Sequence, residues 1–140
     1  MLNSSDLTAA ADIDGPSYLR TIIAVASADG EVHEKEREFI NVQAQVLSLN
    51  PEDYWRHSEH DLGFLSSVEM SRPTCMTIIR DCIVLGHLDG DFTETERTKV
   101  YDVASLLGTS KSDVDAVETW LKSLWAVMEE GNRLFQQGWK

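Results

Sequence analysis

The chain carries one short sequence twice, with the two copies 60 residues apart. Residues 29–37 read Asp-Gly-Glu-Val-His-Glu-Lys-Glu-Arg, and residues 89–97 read Asp-Gly-Asp-Phe-Thr-Glu-Thr-Glu-Arg. The apolar positions on both sides keep the same register, so that residues 19–53 align with residues 79–113 without a gap. Self-similarity at a fixed period indicates a duplicated supersecondary unit. We therefore expect two helix–acidic loop–helix units packed about a pseudo-twofold axis.

The hydrophobic pattern is that of helices along most of the chain. Leu19, Ile22, Ile23 and Ala26 recur at the i, i+3, i+4, i+7 spacing of one helix face. The same criterion, with capping and stop signals, predicts further helices near residues 34–49, 50–55, 62–68, 72–88, 94–107 and 110–128. No segment alternates with the period of two that a strand requires. The predicted fold class is all-α, a helical bundle of about six to seven helices built from two related halves.

The length and the helical pattern also suggest a domain organisation. The chain has 140 residues, enough for one domain with a buried core. Residues 15–130 form this predicted helical domain, with repeats at about 19–53 and 79–113. Residues 1–14 are expected to be an N-terminal arm, either a short helix or disordered. Because the last apolar stripe ends near Met128 and Gly131 follows, residues 131–140 are expected to be a C-terminal tail.

The charge balance limits the classes of partner. Twelve basic residues stand against twenty-four acidic ones, which gives a net charge of −12. Such a surface repels phosphate backbones, so nucleic acid is an unfavourable partner, whereas cations and basic protein segments are attracted. The longest apolar runs, such as residues 22–26, are far shorter than the roughly 20 residues of a membrane span.

The cysteines and the first residues bear on the compartment. Cys75 and Cys82 fall two turns apart on one predicted helix, about 10 Å along its axis and too far for a disulfide. They are expected to be buried thiols in a reducing compartment. Residues 1–6 lack the basic start and apolar stretch of a signal peptide. These features predict a cytoplasmic location.

The repeated loops resemble the second half of an EF-hand calcium loop. Asp29 and Asp89 would occupy position 5 of that loop, and Glu36 and Glu96 position 12. Position 1, which is normally an aspartate ligand, is valine in one copy and leucine in the other. An ordinary EF-hand is therefore disfavoured.

A purely structural role explains part of the same pattern. Gly30 and Gly90 suit a turn with positive φ between two helices. Thr93-x-x-Glu96 has the sequence of a capping box, and His33-x-x-Glu36 is a weaker version of it. A glycine turn does not need an aspartate before it, so Asp29 and Asp89 are not explained in this way.

The repeated motif resembles the TerB-like family of tellurite-resistance proteins. The resemblance covers roughly residues 15–128 and rests on an Asp-Gly loop followed by Glu-Arg, duplicated about 60 residues later. The residues that carry it are 26–32, 36–37, 88–92, 96–97 and 106–110. It implies a helical bundle of two related halves, a surface cluster of acidic residues that binds metal cations, and association with membrane-bound partners in a stress response. A similar domain serves in some co-chaperones as an interaction module.

Carried over to this chain, the resemblance implies a metal site. Its proposed ligands are the four matching acidic residues Asp29, Glu36, Asp89 and Glu96, with Glu31, His33, His87 and Asp91 as additional candidates. Oxygen ligands favour Ca²⁺, Mg²⁺ or Mn²⁺, and a histidine in the site would shift the preference towards Zn²⁺. The leading hypothesis is a non-enzymatic, TerB-like domain that binds divalent cations within a tellurite/stress-response or membrane-associated complex. It is expected in the cytoplasm, where such a complex could lie at the inner face of the membrane. The alternative is a metal-free protein-interaction module that uses its acidic face.

Other candidate sites are less specific. His57 and His60 have the spacing of a helical metal-ligand pair, although a solvated loop is the favoured interpretation. Trp120 and Trp125 are expected in the core, whereas Phe135 and Trp139 lie beyond Gly131 and suggest either a tail folded back on the bundle or a partner-binding patch. The sequence has no nucleophile–base signature, phosphate loop or dinucleotide fingerprint, so no enzymatic activity is predicted.

Overall fold

The computed structural model describes residues 13–28, 30–56, 62–88, 90 and 92–137. Over this part of the chain the structure is helical and contains no strand, which confirms the all-α prediction. The helices are α1 (Gly15–Ala26), α2 (Glu34–Val46), α3 (Pro51–Arg56), a 3₁₀ helix (Gly63–Ser67), α4 (Arg72–His87), α5 (Glu94–Leu106) and α6 (Lys111–Gln137).

The core lies around α1 and α4, the first helix of each predicted unit. These two helices pack against each other, and each also packs against the helix that follows its loop, α2 and α5 respectively. Ile22 and Ile23 on α1 and Ile79 and Ile83 on α4 are at most 1 % exposed. Most of α1 is apolar on all sides, and a helix of that kind is stable only when it is surrounded by others.

The helices begin near the predicted residues, but α2 ends earlier than expected. Pro16 lies in the first turn of α1, and Ser110 caps α6 by accepting a hydrogen bond from the N–H of Asp113 at 3.2 Å. The prediction that α2 continues to Leu49 is wrong, because Ser48 adopts a φ of 58° and α2 ends at Val46. Gly108 makes the corresponding turn after α5, with a φ of 80°.

The end of α6 also differs from the prediction. The break expected at Gly131 does not occur, and the helix continues to Gln137. The reason is that an interior glycine costs a helix only about 1 kcal/mol relative to alanine and, unlike proline, keeps its backbone N–H. The residues predicted as the start of a tail are thus an extension of α6.

The tryptophans of α6 occupy different environments. Trp125 is half-buried and packs against the core. Trp120 was expected in the core as well, but 54 % of it is exposed, because it lies on the opposite side of the helix from the buried Glu118. This difference shows that α6 has an apolar face besides the one that covers the bundle.

The two cysteines both lie on α4, where they are buried and free, as predicted. Within the described residues, no helix has both the length and the apolar character that crossing a lipid bilayer requires.

Candidate functional site

The two acidic loops share the same turn geometry at their glycines. Gly30 has a φ of 85° and Gly90 a φ of 84°, a region that glycine enters at little cost. The N–H of Gly30 donates to the carbonyl oxygen of Ser27 at 3.0 Å, and the N–H of Gly90 donates to that of His87 at 3.1 Å. The interpretation of both glycines as left-handed turn residues is confirmed.

Several residues of the predicted sites lie outside the described part of the chain. These are the loop residues Asp29, Asp89 and Asp91, the histidines His57 and His60, and the tail residue Trp139. Their predicted roles stay predictions. The geometry of the acidic loops is therefore known from the residues that flank the aspartates.

The two loop glutamates cap the helices that they begin. Glu96 is 2 % exposed, and its Oε1 accepts hydrogen bonds from the backbone N–H of Thr93 at 3.0 Å and from Thr93 Oγ1 at 3.1 Å. In return, Thr93 Oγ1 accepts from the N–H of Glu96 at 3.1 Å, which completes the predicted capping box. Glu36 is fully buried, and its Oε1 accepts from the backbone N–H of His33 at 3.1 Å. Both carboxylates thus use an oxygen to hold a helix start.

The remaining candidate ligands lie in different surroundings. Glu31 and His33 are exposed at the surface beside the first loop. His87, at the end of α4, is half-buried and makes a hydrogen bond from its Nε2 to Glu118 Oε2 on α6 at 2.8 Å. Among the described residues, no three His, Cys, Asp or Glu side chains are grouped so that they could hold a metal ion.

Glu118 is the centre of a polar cluster that the sequence did not reveal. Besides His87 it accepts two hydrogen bonds from Arg97, at 2.6 and 3.1 Å, and the Arg97 guanidinium also lies 4.7 Å from the centre of the Phe92 ring. Only 7 % of Glu118 is exposed. The sequence contained one signal for it, since Glu118 is a charged residue on the apolar face of α6 between Val114 and Leu121.

The electrostatics of this cluster keep Glu118 ionised. The hydrogen bonds from Arg97 lower the pKa of the Glu118 carboxyl to about 2, against the opposing effect of burial. The same hydrogen bonds raise the pKa of Arg97 further above its usual value. This doubly bonded ion pair joins the first turn of α5 to α6.

A groove lies beside the first loop. It has a volume of about 680 Å³ and runs between the end of α1 and one face of α5. Small residues form one wall, and the other carries the acidic side chains of Glu94 and Asp102 with Lys99 between them. The small residues are Ala24, Ser27, Ala28 and Gly30. The groove is large enough for several side chains of a bound segment.

Comparison of the chain with protein-family models, with curated proteins and with solved structures gave no match.

Proposed function

We propose that this chain is a non-enzymatic binding domain whose groove between the first acidic loop and α5 accepts a basic segment of a partner protein. The observation that carries the proposal is the groove itself, with its wall of small residues and, opposite, two carboxylates that outnumber the single positive charge of Lys99. The aliphatic stem of a lysine or arginine would lie along Ala28, and its charged head would reach Glu94 or Asp102. The net charge of −12 would draw such a segment towards the domain.

The role of the loop glutamates supports this proposal over a tight metal cage. Glu36 and Glu96 are buried and each has an oxygen engaged at a helix start. A cation held by these two groups would compete with the caps. Glu94 has an 83 % exposed side chain with a long contact of 3.8 Å to Arg97, and Asp102 is exposed, so both carboxylates are open to a partner.

A titration with a lysine-rich amphipathic peptide tests the groove. We expect binding that weakens as salt is added, and a loss of at least about tenfold in affinity for the double variant Glu94→Gln/Asp102→Asn. The matched control is Glu52→Gln/Glu129→Gln, which removes the same charge from exposed positions outside the groove. Equal losses of peptide affinity in both double variants would show that the peptide responds only to net charge and would contradict a groove site.

Divalent-cation binding by the repeated Asp-Gly loops is a second candidate function. It is supported by the matching φ values at Gly30 and Gly90 and by the resemblance of the duplicated motif to the TerB-like family. Asp29 and Asp89 would be the main ligands for Ca²⁺, Mg²⁺ or Mn²⁺, since Glu36 and Glu96 act as caps. A TerB-like role would place the domain in the cytoplasm, within a stress-response complex at the inner face of the membrane.

A thermal unfolding series separates the two candidates. A ligand that binds only the folded state stabilises it by roughly 2.7 kcal/mol at a hundredfold excess over its Kd. If the loops bind cations, millimolar Ca²⁺ or Mn²⁺ should raise the Tm, NaCl of equal ionic strength should not, and Asp29→Asn/Asp89→Asn should remove the effect. Glu52→Gln/Glu129→Gln again serves as the charge-matched control. An unchanged Tm with either cation would contradict the metal site and leave the groove proposal intact.

We also infer that the two halves of the fold derive from one duplicated unit. The support is local: Gly30 and Gly90 have the same backbone turn, Glu36 and Glu96 have the same cap, and Ser48 and Gly108 both have positive φ. All three pairs are separated by the same 60 residues as the repeated sequence. Superposition of α1–α2 on α4–α5 in an experimental structure is the test, and different angles between the paired helices would contradict it.

A further inference from the structure

Helix α6 carries two lines of apolar residues: one covers the bundle, and the other touches it only at its start, at Val117. Val114 and Leu121 are fully buried on the inner face, and Trp125 continues that face half-buried. A second line of residues lies about 100° further round the helix, and we refer to it as the outer stripe. The outer stripe consists of Val117, Trp120, Leu124, Val127, Gly131 and Leu134.

Much of the outer stripe is exposed, whereas Leu124 is half-buried and Val117 is half-buried and packs against the core. Trp120 is 54 % exposed, Val127 66 % and Leu134 64 %. Met128 and Phe135 flank the stripe and are exposed as well. Isolated apolar residues at a surface are normal, but a continuous strip of them on one helix marks an interaction surface.

The spacing of the outer stripe is that of a coiled-coil seam. Its residues follow one another at intervals of three and four, which is the a and d pattern of a heptad repeat. The outer stripe therefore has the sequence of a helix whose partner is another helix.

Gly131 is not explained by the fold of the single chain. Its φ is not positive, and a Cβ atom added to it would meet nothing within 4 Å. A glycine inside a helix lowers helix stability relative to alanine, so neither the backbone conformation nor the packing within the chain accounts for it. A close approach by another molecule would.

We propose that two copies of this chain associate through the outer stripes of their α6 helices, packed antiparallel. In this register Trp120 of one copy lies opposite Gly131 of the other, Leu124 opposite Val127, and Val117 opposite Leu134. Each pairing occurs twice because of the twofold axis. The largest side chain of the stripe thus meets the residue with none, and the six layers have similar total volume.

A parallel arrangement fits the same residues poorly. It would place the two Trp120 side chains in one layer and the two Gly131 residues in another. The first layer would be overfilled and the second would leave a void, and both faults destabilise a packed interface. The antiparallel register is therefore the one that the sizes of these residues select.

The charge of the molecule does not oppose this contact at the interface. No residue of the outer stripe is charged, and residues 117–134 carry two basic side chains, Lys122 and Arg133, against three acidic ones, Glu118, Glu129 and Glu130. Glu118 is buried and neutralised by Arg97 of α5, so two charges of each sign are left along the stripe. The excess of negative charge lies elsewhere on the chain, where distance and salt weaken its effect. Locally the two surfaces are neutral, as self-association requires.

The length of the outer stripe determines how much surface the dimer can bury and therefore how stable the dimer is expected to be. From Val117 to Leu134 it is about 26 Å long, and a two-helix contact of that length buries on the order of 1,000 Å² in total, near the lower limit for specific interfaces. The bundle also offers a pocket of about 170 Å³ between α4 and α6, lined by Val117, Trp120, Met76 and Arg80 among others. Leu134 of the second copy would reach this pocket. An interface of this size predicts a weak dimer, in equilibrium with the monomer and favoured at higher protein concentration.

Sedimentation velocity over a hundredfold concentration range tests the dimer. We expect the full chain to shift from monomer to dimer, and Gly131→Leu to weaken dimerisation by at least about tenfold because it fills the space for Trp120. Leucine favours helix more than glycine does, so the Tm of the dilute variant should not fall. The swap Trp120→Ala/Gly131→Leu should restore dimerisation. A chain that stays monomeric throughout, a Gly131→Leu variant that dimerises as well as the natural chain, or a swap that stays monomeric would overturn the proposal.

Disulfide trapping tests the orientation. In the antiparallel register, a mixture of the single variants Val117→Cys and Leu134→Cys should form the mixed dimer, whereas Leu134→Cys alone should not cross-link. Cys75 and Cys82 are buried, whereas position 134 is exposed and position 117 is half-buried, so the new thiols are the more accessible ones. Rapid cross-linking of Leu134→Cys with itself would indicate parallel helices and contradict the proposal.

Discussion

Arg97 on α5 holds the carboxylate of Glu118 on α6 with two hydrogen bonds, of 2.6 and 3.1 Å. His87 at the end of α4 bonds the same carboxylate at 2.8 Å. Three helices of the bundle therefore meet at one acidic side chain. Because Glu118 is almost completely buried, removing one partner would leave the others in an apolar environment with unmet hydrogen-bonding capacity.

This cluster predicts a dependence of stability on acid. The pKa of Glu118 is lowered from its usual value near 4.5 to about 2, so the ionised carboxylate stabilises the fold above about pH 4.5. That contribution is lost as the pH falls towards 2. We expect Glu118→Gln to lower the free energy of unfolding by about 1–3 kcal/mol at pH 6, and the difference from the natural chain to shrink towards pH 2. Urea unfolding at several pH values measures it.

Subtracting the unfolding free energy of the Glu118→Gln variant from that of the natural chain at each pH cancels the contribution of the other acidic groups that titrate in the same range. Asp113→Asn is a suitable control, since Asp113 is paired with Arg72 nearer the surface. It should change the stability much less. A Glu118→Gln difference that stays constant from pH 6 to pH 2 would contradict the ion pair as the cause.

Gly86 and Phe92 predict a compensating pair of mutations. A Cβ atom on Gly86 would collide with the ring of Phe92, which packs directly on the backbone there. At the corresponding positions of the first unit the chain has Ala26 and Val32, a larger residue with a smaller one. We expect Gly86→Ala to destabilise the fold by about 1–3 kcal/mol, and Phe92→Val to cost less when Gly86→Ala is already present.

A double-mutant cycle by thermal or urea unfolding gives the coupling between these two sites. The expected coupling is favourable and at least about 1 kcal/mol, since the double variant recreates the pair of the first unit. Additive changes in the free energy of unfolding would show that the residue sizes at these two positions are not matched to each other.

The turns after α2 and α5 predict opposite effects of exchanging serine and glycine. Ser48 has a φ of 58°, in the left-handed region where a Cβ atom costs roughly 1 kcal/mol, and Gly108 has a φ of 80° at the equivalent position. Ser48→Gly should therefore stabilise the fold by about 0.5–1 kcal/mol, and Gly108→Ser should destabilise it by a similar amount. A lower Tm for Ser48→Gly would mean that the serine side chain contributes more than its strained backbone costs.

Removing the buried hydroxyl of Tyr18 should destabilise the fold more than removing a tyrosine hydroxyl near the surface. Tyr18 is fully buried and donates to Asp81 Oδ2 at 2.8 Å, and burial raises the pKa of Tyr18 so that it keeps its proton. Tyr18→Phe should cost about 1–3 kcal/mol because Asp81 stays buried and loses a donor. Tyr101→Phe, which removes a hydrogen bond to Asp115 near the surface, is the matched control and should cost well under half as much. Equal costs in urea unfolding would contradict the role of burial.

The sequence predicted the helices well because each has local signals. The repeat, the Asp-Gly turns and the Thr93–Glu96 capping box depend on residues a few positions apart, and helix periodicity fixes the inner faces of α1 and α4. The break expected at Gly131 was wrong for the same reason. One glycine weakens a helix, and whether the helix continues depends on energies that the local pattern does not contain.

The contacts around Glu118 could not be predicted in this way. Arg97 and Glu118 are 21 residues apart, and His87 and Glu118 are 31 apart, so their meeting depends on how α4, α5 and α6 pack. The groove between α1 and α5 likewise joins residues from the two repeats, which no spacing along the chain reveals. The ligand roles of Asp29 and Asp89 stay predictions.

Because α6 is longer than the bundle that it packs against, its two halves should differ in stability. Up to Trp125 its backbone is held by the bundle, so its amide hydrogens should exchange with solvent only when the whole domain opens. Beyond that point its side chains are mostly exposed, and a helical segment of about a dozen residues is marginal by itself in water. Amide exchange should therefore be slow in the first half of α6 and fast in the second. The amides in the second half of α6 would exchange more slowly whenever another surface covers them. Their exchange rate therefore measures whether this part of the helix is bound.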